Sequence, residues 1–148
     1  MDWEWLKLLP APLAILGAAT LAWLTRRAER LKDSYADWAA AVFGLVSIQN
    51  ELEPNASFGG THTPNPEWVE WNRASRSSLA ALRAARAVLH TREPSTKLRE
   101  RVDELSVFRN GTNLEARVKD VQGLLAEISK ESWLVLSMRH IDSTEGAN

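Results

Sequence analysis

Residues 31–52 read LKDSYADWAAAVFGLVSIQNEL, and this stretch decides the fold class. Its large side chains recur at steps of four and three residues, at Leu31, Tyr35, Trp38, Val42, Leu45, Gln49 and Leu52. That spacing returns side chains to one face of an α-helix, whereas a half-buried strand would alternate with a period of two. We therefore predict an amphipathic helix over residues 27–53, which continues an apolar helix before it and is ended by Pro54.

A second helix is predicted over residues 66–92, after a loop rich in glycine and proline at 54–65. Asn65 is a favourable N-cap residue, and Pro66 suits the first helical position, where its missing N–H has no partner to lose. The apolar face of this helix is predicted to consist of Trp68, Trp71, Leu79, Leu82 and Leu89.

Two further helices are predicted, over residues 96–109 and 113–140. Ser95 or Thr96 is expected to cap the first of them, and Thr112 with Glu115 has the pattern of a capping box for the second. Asn110 and Gly111 indicate a short turn between them, so these helices should be antiparallel neighbours. Their apolar stripes are Leu98, Val102, Leu105 and Phe108, then Leu114, Val118, Val121, Leu125 and Ile128.

The expected architecture is therefore all-α: a single N-terminal transmembrane helix at 1–26, followed by an up-down type four-helix bundle at 27–142. The polar residues 143–148 are predicted to form a disordered tail. No stretch alternates apolar and polar residues over the length of a strand.

The membrane prediction rests on residues 8–25, which carry no charged side chain. As a helix they would be roughly 27 Å long, just short of the ~30 Å hydrocarbon core. Tryptophans mark both ends of this segment, and arginines follow it, as is typical of residues at a membrane border. The predicted anchor residues are Trp3, Trp5, Lys7, Leu8, Leu16, Trp23, Arg26 and Arg27.

Basic residues predict the orientation of this span, because Arg26, Arg27, Arg30 and Lys32 all follow it. We expect a single-pass protein of the inner membrane, with its N-terminus outside and its C-terminal domain in the cytoplasm. A signal peptide is disfavoured because the first residues include Asp2 and Glu4 instead of a basic region. An in-plane amphipathic helix lacks its charged face, and a shortened core helix of a soluble protein remains an alternative.

Composition excludes several functional classes. The chain has no cysteine, so disulfides and thiolate metal sites are excluded, and its net charge of −1 disfavours nucleic acid as a partner. No phosphate-binding glycine loop or nucleophile motif occurs. His62, His90 and His140 lack metal-ligand spacing and are interpreted as surface residues. We predict no catalytic residue, no cofactor and no metal, and we expect the carboxylates Glu51, Glu53, Asp103, Glu104 and Glu131 to lie on solvated faces.

Two surfaces of the second helix are candidate binding sites. The first is an arginine stripe, Arg73, Arg76, Arg83 and Arg86, in which Arg86 turns toward the apolar face and should be partly buried. Arg76, Arg83 and Arg86 could receive an acidic partner or a phosphate-bearing ligand, although an internal ion pair is the simpler interpretation. The second is a seam of small residues for self-association, Ser77, Ala80, Ala84 and Ala87.

These observations favour a membrane-tethered helical interaction module, such as an adaptor, a sensor or a subunit of a membrane-associated complex. Its expected partners are the lipid bilayer, an unidentified protein and a second copy of the chain, and no enzymatic activity is predicted. Two alternatives stay open: a lysis-type protein of a phage or envelope with a helical ectodomain, which needs the opposite orientation, and an effector or enzyme whose site forms only on assembly.

Overall fold

The computed structural model describes residues 10–51, 66–109, 112–132 and 135–136, with the side chains of the first helix described from residue 15 onward. Four α-helices account for nearly all of the regular structure in these ranges, which contain no strand, and residues 135–136 are also helical. They are α1 (Pro10–Glu51), α2 (Pro66–Arg92), α3 (Thr96–Leu105) and α4 (Leu114–Lys130). The predicted all-α class and helical bundle are confirmed.

Helix α1 is the central element, since it packs against both α2 and α4. The predicted seam is buried at Leu31, Tyr35, Trp38, Val42 and Leu45, whereas Gln49 is half-buried. Leu52 lies outside the described residues. The buried face of α1 forms one continuous core with side chains from every other helix, namely Leu82 and Leu89 of α2, Val102 and Leu105 of α3, and Val121, Leu124 and Ile128 of α4.

Helix α2 runs back along α1, and its last residue, Arg92, lies beside Arg30 and Ser34 of α1. Pro66 begins this helix as predicted, and the proposed cap Asn65 lies outside the described residues. Only Leu82 and Leu89 of its predicted apolar face are buried; Trp68, Trp71 and Leu79 are half-buried. The bundle therefore packs most tightly near the C-terminal half of α2.

Helices α3 and α4 form an antiparallel hairpin, as the short connection between them predicts. Arg101 of α3 bonds to Glu127 near the end of α4, at 2.6 Å, whereas Glu104 lies beside Arg117 near the start of α4. Residues further along α3 thus meet residues earlier in α4. The predicted turn residues Asn110 and Gly111 lie outside the described residues.

The predicted end of α3 is wrong, because the helix stops at Leu105 and not at residue 109. The guanidinium group of Arg117 donates to the carbonyl oxygens of Glu104 and Val107, at 2.8 and 3.2 Å. Carbonyl groups at the end of a helix need such partners when the chain turns away. Phe108 leaves the helix but still packs against the core. The predicted cap Ser95 is confirmed, since its side chain accepts from the N–H of Leu98.

The predicted start of α4 agrees with the structure to within one residue, but its predicted cap is wrong. Asn113 caps the helix through a bond from the N–H of Ala116 to its side-chain oxygen, at 3.0 Å. Thr112, the expected cap, is occupied elsewhere, because its hydroxyl accepts from the N–H of Arg109 and donates to the carbonyl of the same residue. The helix ends at Lys130, because Glu131 adopts an extended backbone conformation. Residues 135–136 are helical again, and the predicted end near residue 140 lies outside the described residues.

The N-terminal part of α1 agrees with the prediction in one respect and differs from it in another. The helix begins at Pro10 and runs without interruption past residue 26, so the amphipathic helix continues the apolar helix before it, as predicted. Proline is tolerated in a first helical turn, where its N–H would have no partner. In the described part of the chain, moreover, no helix combines the length and apolar character needed to cross a membrane. The predicted transmembrane helix is not supported there, and Trp3, Trp5, Lys7 and Leu8 lie outside the described residues.

Candidate functional site

The most unusual surface of the molecule is the uncharged first part of α1, Pro10–Thr25, which we call the apolar arm. Four of its large side chains are strongly exposed: Ile15 by 69%, Leu16 by 63%, Leu21 by 51% and Trp23 by 58%. Every described side chain from residue 15 to residue 23 is exposed. Isolated apolar side chains are common on protein surfaces, but a continuous apolar segment of this kind marks a contact site.

The two threonine hydroxyls of the apolar arm are hydrogen-bonded within the helix itself. The hydroxyl of Thr20 donates to the carbonyl of Leu16 at 2.8 Å, and that of Thr25 donates to Leu21 at 2.9 Å. A helix also pairs its own backbone groups, which is the condition for entering an apolar environment. The arm is therefore suited to burial in lipid or in an apolar protein groove.

Burial begins abruptly where the arm ends. Leu24 and Thr25 are half-buried, and Ala28 and Leu31 belong to the core. Because the helix is continuous across this point, the change is one of surroundings and not of backbone conformation. The bundle starts about one turn after the last exposed aromatic side chain, Trp23.

Four arginines surround this junction: Arg26, Arg27 and Arg30 of α1, and Arg92 at the end of α2. We call them the arginine collar. They line a cleft of about 550 Å³, whose other lining residues are Ala19, Ala22, Trp23 and Thr91. No carboxylate lines the cleft, and none of the four guanidinium groups is ion-paired to another described residue. Among the described residues, the collar is thus a concentration of positive charge beside an exposed apolar surface, without an ion-paired carboxylate in the cleft.

Two of the collar arginines are held in position. Arg92 Nη1 donates to Ser34 Oγ at 2.7 Å and to the carbonyl oxygen of Arg30 at 3.1 Å. Ser34 is buried, and its hydroxyl donates a hydrogen bond to the same carbonyl oxygen, at 2.8 Å. The guanidinium carbon of Arg27 lies 5.5 Å from the centroid of the Trp23 ring, a cation–π contact.

A buried polar cluster lies directly behind the collar. Glu93, which follows Arg92, is only 2% exposed. Its Oε2 accepts from the hydroxyl of Tyr35 at 2.9 Å, and its Oε1 accepts from the N–H of Ser95, also at 2.9 Å. Glu93 therefore fixes the turn between α2 and α3 against α1. Sequence reasoning missed it, because its position between a helix end and Pro94 resembles an ordinary exposed loop.

The predicted arginine stripe is not assembled into a single site. Arg86 is half-buried, with its Nε 3.6 Å from Asp103 Oδ1, whereas Arg73, Arg76 and Arg83 are exposed. The sequence alone predicts Asp103 on a solvated face, but its carboxylate faces α2 and forms an ion pair with Arg86. The arrangement matches an internal ion pair more closely than an open ligand site.

His90, interpreted from the sequence as a surface residue, is half-buried and also approaches Asp103. Its Nε2 lies 2.9 Å from Asp103 Oδ1, and its side chain is 31% exposed. Neither atom makes a well-directed hydrogen bond within the described residues. His62, His140 and Glu53 lie outside the described residues, and Glu51 and Glu104 are exposed as expected. Glu131 is half-buried.

The predicted self-association seam lies on the outer face of α2. Its four members, Ser77, Ala80, Ala84 and Ala87, are all exposed. A second copy of the chain could reach this face, and self-association stays a prediction. Among the described residues, no three acidic or histidine side chains form a group that could hold a metal ion.

Comparisons with protein-family models, with curated proteins and with solved structures found no match to this chain. The function is therefore argued from the apolar arm and the arginine collar alone.

Proposed function

We propose that the protein is a membrane-tethered helical interaction module, in which the apolar arm enters the bilayer and the bundle presents its surfaces to a partner. The carrying observation is the exposure of the arm on a helix whose continuation forms the centre of the core. Burying one Leu or Ile side chain contributes about 1.5–3 kcal/mol, so an arm left in water would be a large loss. A bilayer offers a surface that can cover the arm on all sides.

The charge distribution supports lipid as the environment of the arm. Its exposed side chains are uncharged as far as Thr25, and Arg26 and Arg27 follow immediately. This order matches the change from hydrocarbon to phosphate along a membrane normal, and Trp23 stands at the level that indole rings prefer. Leu8 and Leu9, which precede the arm in sequence, extend the uncharged segment.

The same arginines favour a particular orientation. Basic residues are enriched on the cytoplasmic side of a membrane segment, so the bundle is proposed to lie in the cytoplasm and the N-terminus outside. A lysis-type protein with an external helical domain requires the reverse. Within this proposal the bundle works as an adaptor, a sensor or a subunit of a membrane-associated complex, and no residue is given a catalytic role.

The proposal is tested by fractionation of cells that express the full chain. The protein should sediment with the membranes and stay there through an alkaline carbonate wash. Replacing Leu16 and Leu21 by Asp should release it, because an Asp near the centre of a membrane segment costs about 2.5–3.5 kcal/mol. The combined cost of two such residues exceeds the roughly 2–4 kcal/mol of insertion free energy that the leucines and isoleucine of residues 8–25 provide.

The matched control replaces Ala36 and Ala40 by Asp. Both are exposed on the part of α1 that lies in the bundle, so the charge and the helix are the same but the proposed membrane contact is absent. This variant should remain in the membrane fraction. A native protein that is fully extracted by carbonate would contradict the tether. A reporter fused after Asn148 tests the orientation, and activity only outside the cytoplasm would contradict it.

A further inference from the structure

We propose that the arginine collar is a binding site for the phosphate group of an anionic phospholipid, with the lipid seated in the cleft between α1 and the end of α2. The inference rests on the proposed membrane attachment and adds to it a selectivity for one class of lipid. It arises from the geometry of the cleft and not from the number of arginines alone.

The cleft is divided into two chemically different parts. Ala19, Ala22 and Trp23 provide an uncharged wall on the side of the arm, and the four collar arginines provide the other side. A phospholipid has the same division, because its acyl chains and its phosphate are joined through glycerol. Free inorganic phosphate would use the arginines but leave the apolar wall uncovered, so the shape favours a lipid.

The collar also has the donors that a phosphate group needs. Guanidinium groups bind phosphate oxygens through paired N–H donors. Arg92 is held between α1 and α2 through its Nη1 alone, which leaves Nη2 and Nε without a hydrogen bond to another described residue. Arg27 is held against Trp23. The site is therefore partly ordered before a ligand arrives, which lowers the entropy lost on binding.

The position of the cleft along α1 fits the depth of a headgroup. Arg26 directly follows the last residue of the arm, and Arg30 lies one turn further along the same helix. If the arm lies in hydrocarbon, these guanidinium groups lie at the level of the phosphates. Basic residues near an anionic membrane surface each contribute about a fivefold preference for it.

The test measures lipid selectivity and membrane attachment as two separate properties of the full chain. The protein is reconstituted into nanodiscs containing equal amounts of phosphatidylglycerol and phosphatidylcholine. The lipids that remain bound after extraction into mild detergent are then counted by native mass spectrometry. The native protein should retain phosphatidylglycerol at least about tenfold over phosphatidylcholine. The double variant Arg26→Gln and Arg27→Gln should lose most of this preference while it still enters nanodiscs of pure phosphatidylcholine.

Two further variants sharpen the result. Arg92→Gln should reduce the preference by about fivefold, and circular dichroism checks that the loss of its bonds to Ser34 and Arg30 has not unfolded the bundle. The control variant Lys119→Gln with Lys130→Gln removes the same charge as the double collar variant from exposed positions on α4, and it should keep the full preference.

The possible failures are distinguishable. If the native protein does not enter phosphatidylcholine nanodiscs, the proposed membrane attachment itself is wrong. If it enters them but retains both lipids equally, or if the α4 control loses the preference as fully as the collar variant, the headgroup site is overturned. Displacement of bound phosphatidylglycerol by millimolar inorganic phosphate would also overturn it, since the site would then recognise a free anion.

Discussion

At the scale of single residues, three polar contacts connect α1 to the last residue of α2 and to the chain that follows it. Tyr35 donates to Glu93, and Arg92 donates to Ser34. Trp38 Nε1 donates to Ser106 Oγ at 2.8 Å, and that hydroxyl donates in turn to the carbonyl oxygen of Val102. Buried polar groups are costly when unpaired, so each contact selects one arrangement of α1 against the rest of the bundle.

The contact between Tyr35 and Glu93 predicts the effect of Tyr35→Phe. The substitution keeps the ring but removes the hydroxyl that bonds to a buried carboxyl group, so the free energy of unfolding should fall by about 1–3 kcal/mol. Urea denaturation monitored by circular dichroism measures it. Ser47→Ala is the control, since it removes an exposed hydroxyl that bonds to Glu51 on the same helix, and it should change stability by less than about 0.5 kcal/mol. Equal effects would contradict the assigned role of Tyr35.

The two ends of the arginine stripe should differ in their effect on stability. Arg86→Ala removes an ion pair with Asp103, but both side chains are more than 40% exposed, so the loss should be only about 0.5–1 kcal/mol. Arg73→Ala should have less effect still, because Arg73 is exposed and has no ion pair with another described residue. A double-mutant cycle with Asp103→Asn isolates the pair. A coupling energy of zero would show that the Arg86 pair does not form in solution.

At the scale of elements, the ends of α3 and α4 are set by contacts between them. Arg117 of α4 donates hydrogen bonds to carbonyl groups at and just after the end of α3. Its guanidinium carbon lies 5.9 Å from the centroid of the Phe108 ring. Asn113 begins α4 while Thr112 bonds back to Arg109. The hairpin therefore depends on one arginine that joins both elements.

Replacing Arg117 by Ala should therefore destabilise the hairpin by about 1–3 kcal/mol, since hydrogen bonds to a charged group have about this value. Amide hydrogen exchange should also become faster in the last turn of α3, around Leu105. Lys119→Ala is the control, because Lys119 is exposed and bonds only within α4, to Glu115. Unchanged exchange around Leu105 in the Arg117 variant would show that the guanidinium group does not terminate α3.

At the scale of the whole molecule, the two parts of α1 have different surroundings. Its second part is the centre of the core, and its first part is exposed. The two meet between Trp23 and Ala28, where the arginine collar lies. A rigid helix that joins an exposed apolar segment to a folded core fixes the orientation of the core relative to whatever covers that segment.

The position of this junction predicts which fragment folds. The sequence pattern suggests that a fragment from Asp33 to Ile141 should be soluble, helical and cooperative. In the structure, Ala28 and Leu31 are core residues, and the carbonyl of Arg30 receives Arg92. A fragment that begins at Arg26 should therefore be more stable than one that begins at Asp33, by about 2–4 kcal/mol, mainly from the burial of Leu31. Thermal unfolding of both fragments measures the difference. Equal unfolding midpoints would show that residues 26–32 add nothing to the stability of the bundle.

The sequence by itself determined the helical class and most of the buried face of α1 and α3, whereas in α4 the fully buried Leu124 lies outside the predicted stripe. Side chains at steps of four and three meet on one face of any α-helix, so Leu31, Trp38 and Val42 predict their own burial from local geometry. Proline and serine signals were equally local, and they located the starts of α2 and α3 correctly. The uncharged segment and the arginines after it were also visible as a pattern, which is why residues of the candidate site, Trp23, Arg26 and Arg27, could be named in advance.

The tertiary structure alone decided where α3 and α4 end and which residues complete the site. Arg117 ends α3 from another helix, and Arg92 joins the collar from a position 62 residues away from Arg30 in sequence. Glu93 is buried, and its carboxylate accepts a hydrogen bond from Tyr35 on a different helix. These outcomes depend on which side chains meet across the bundle. The spacing of residues along one helix fixes its buried face, but it contains no information about the partner that a distant helix brings to it.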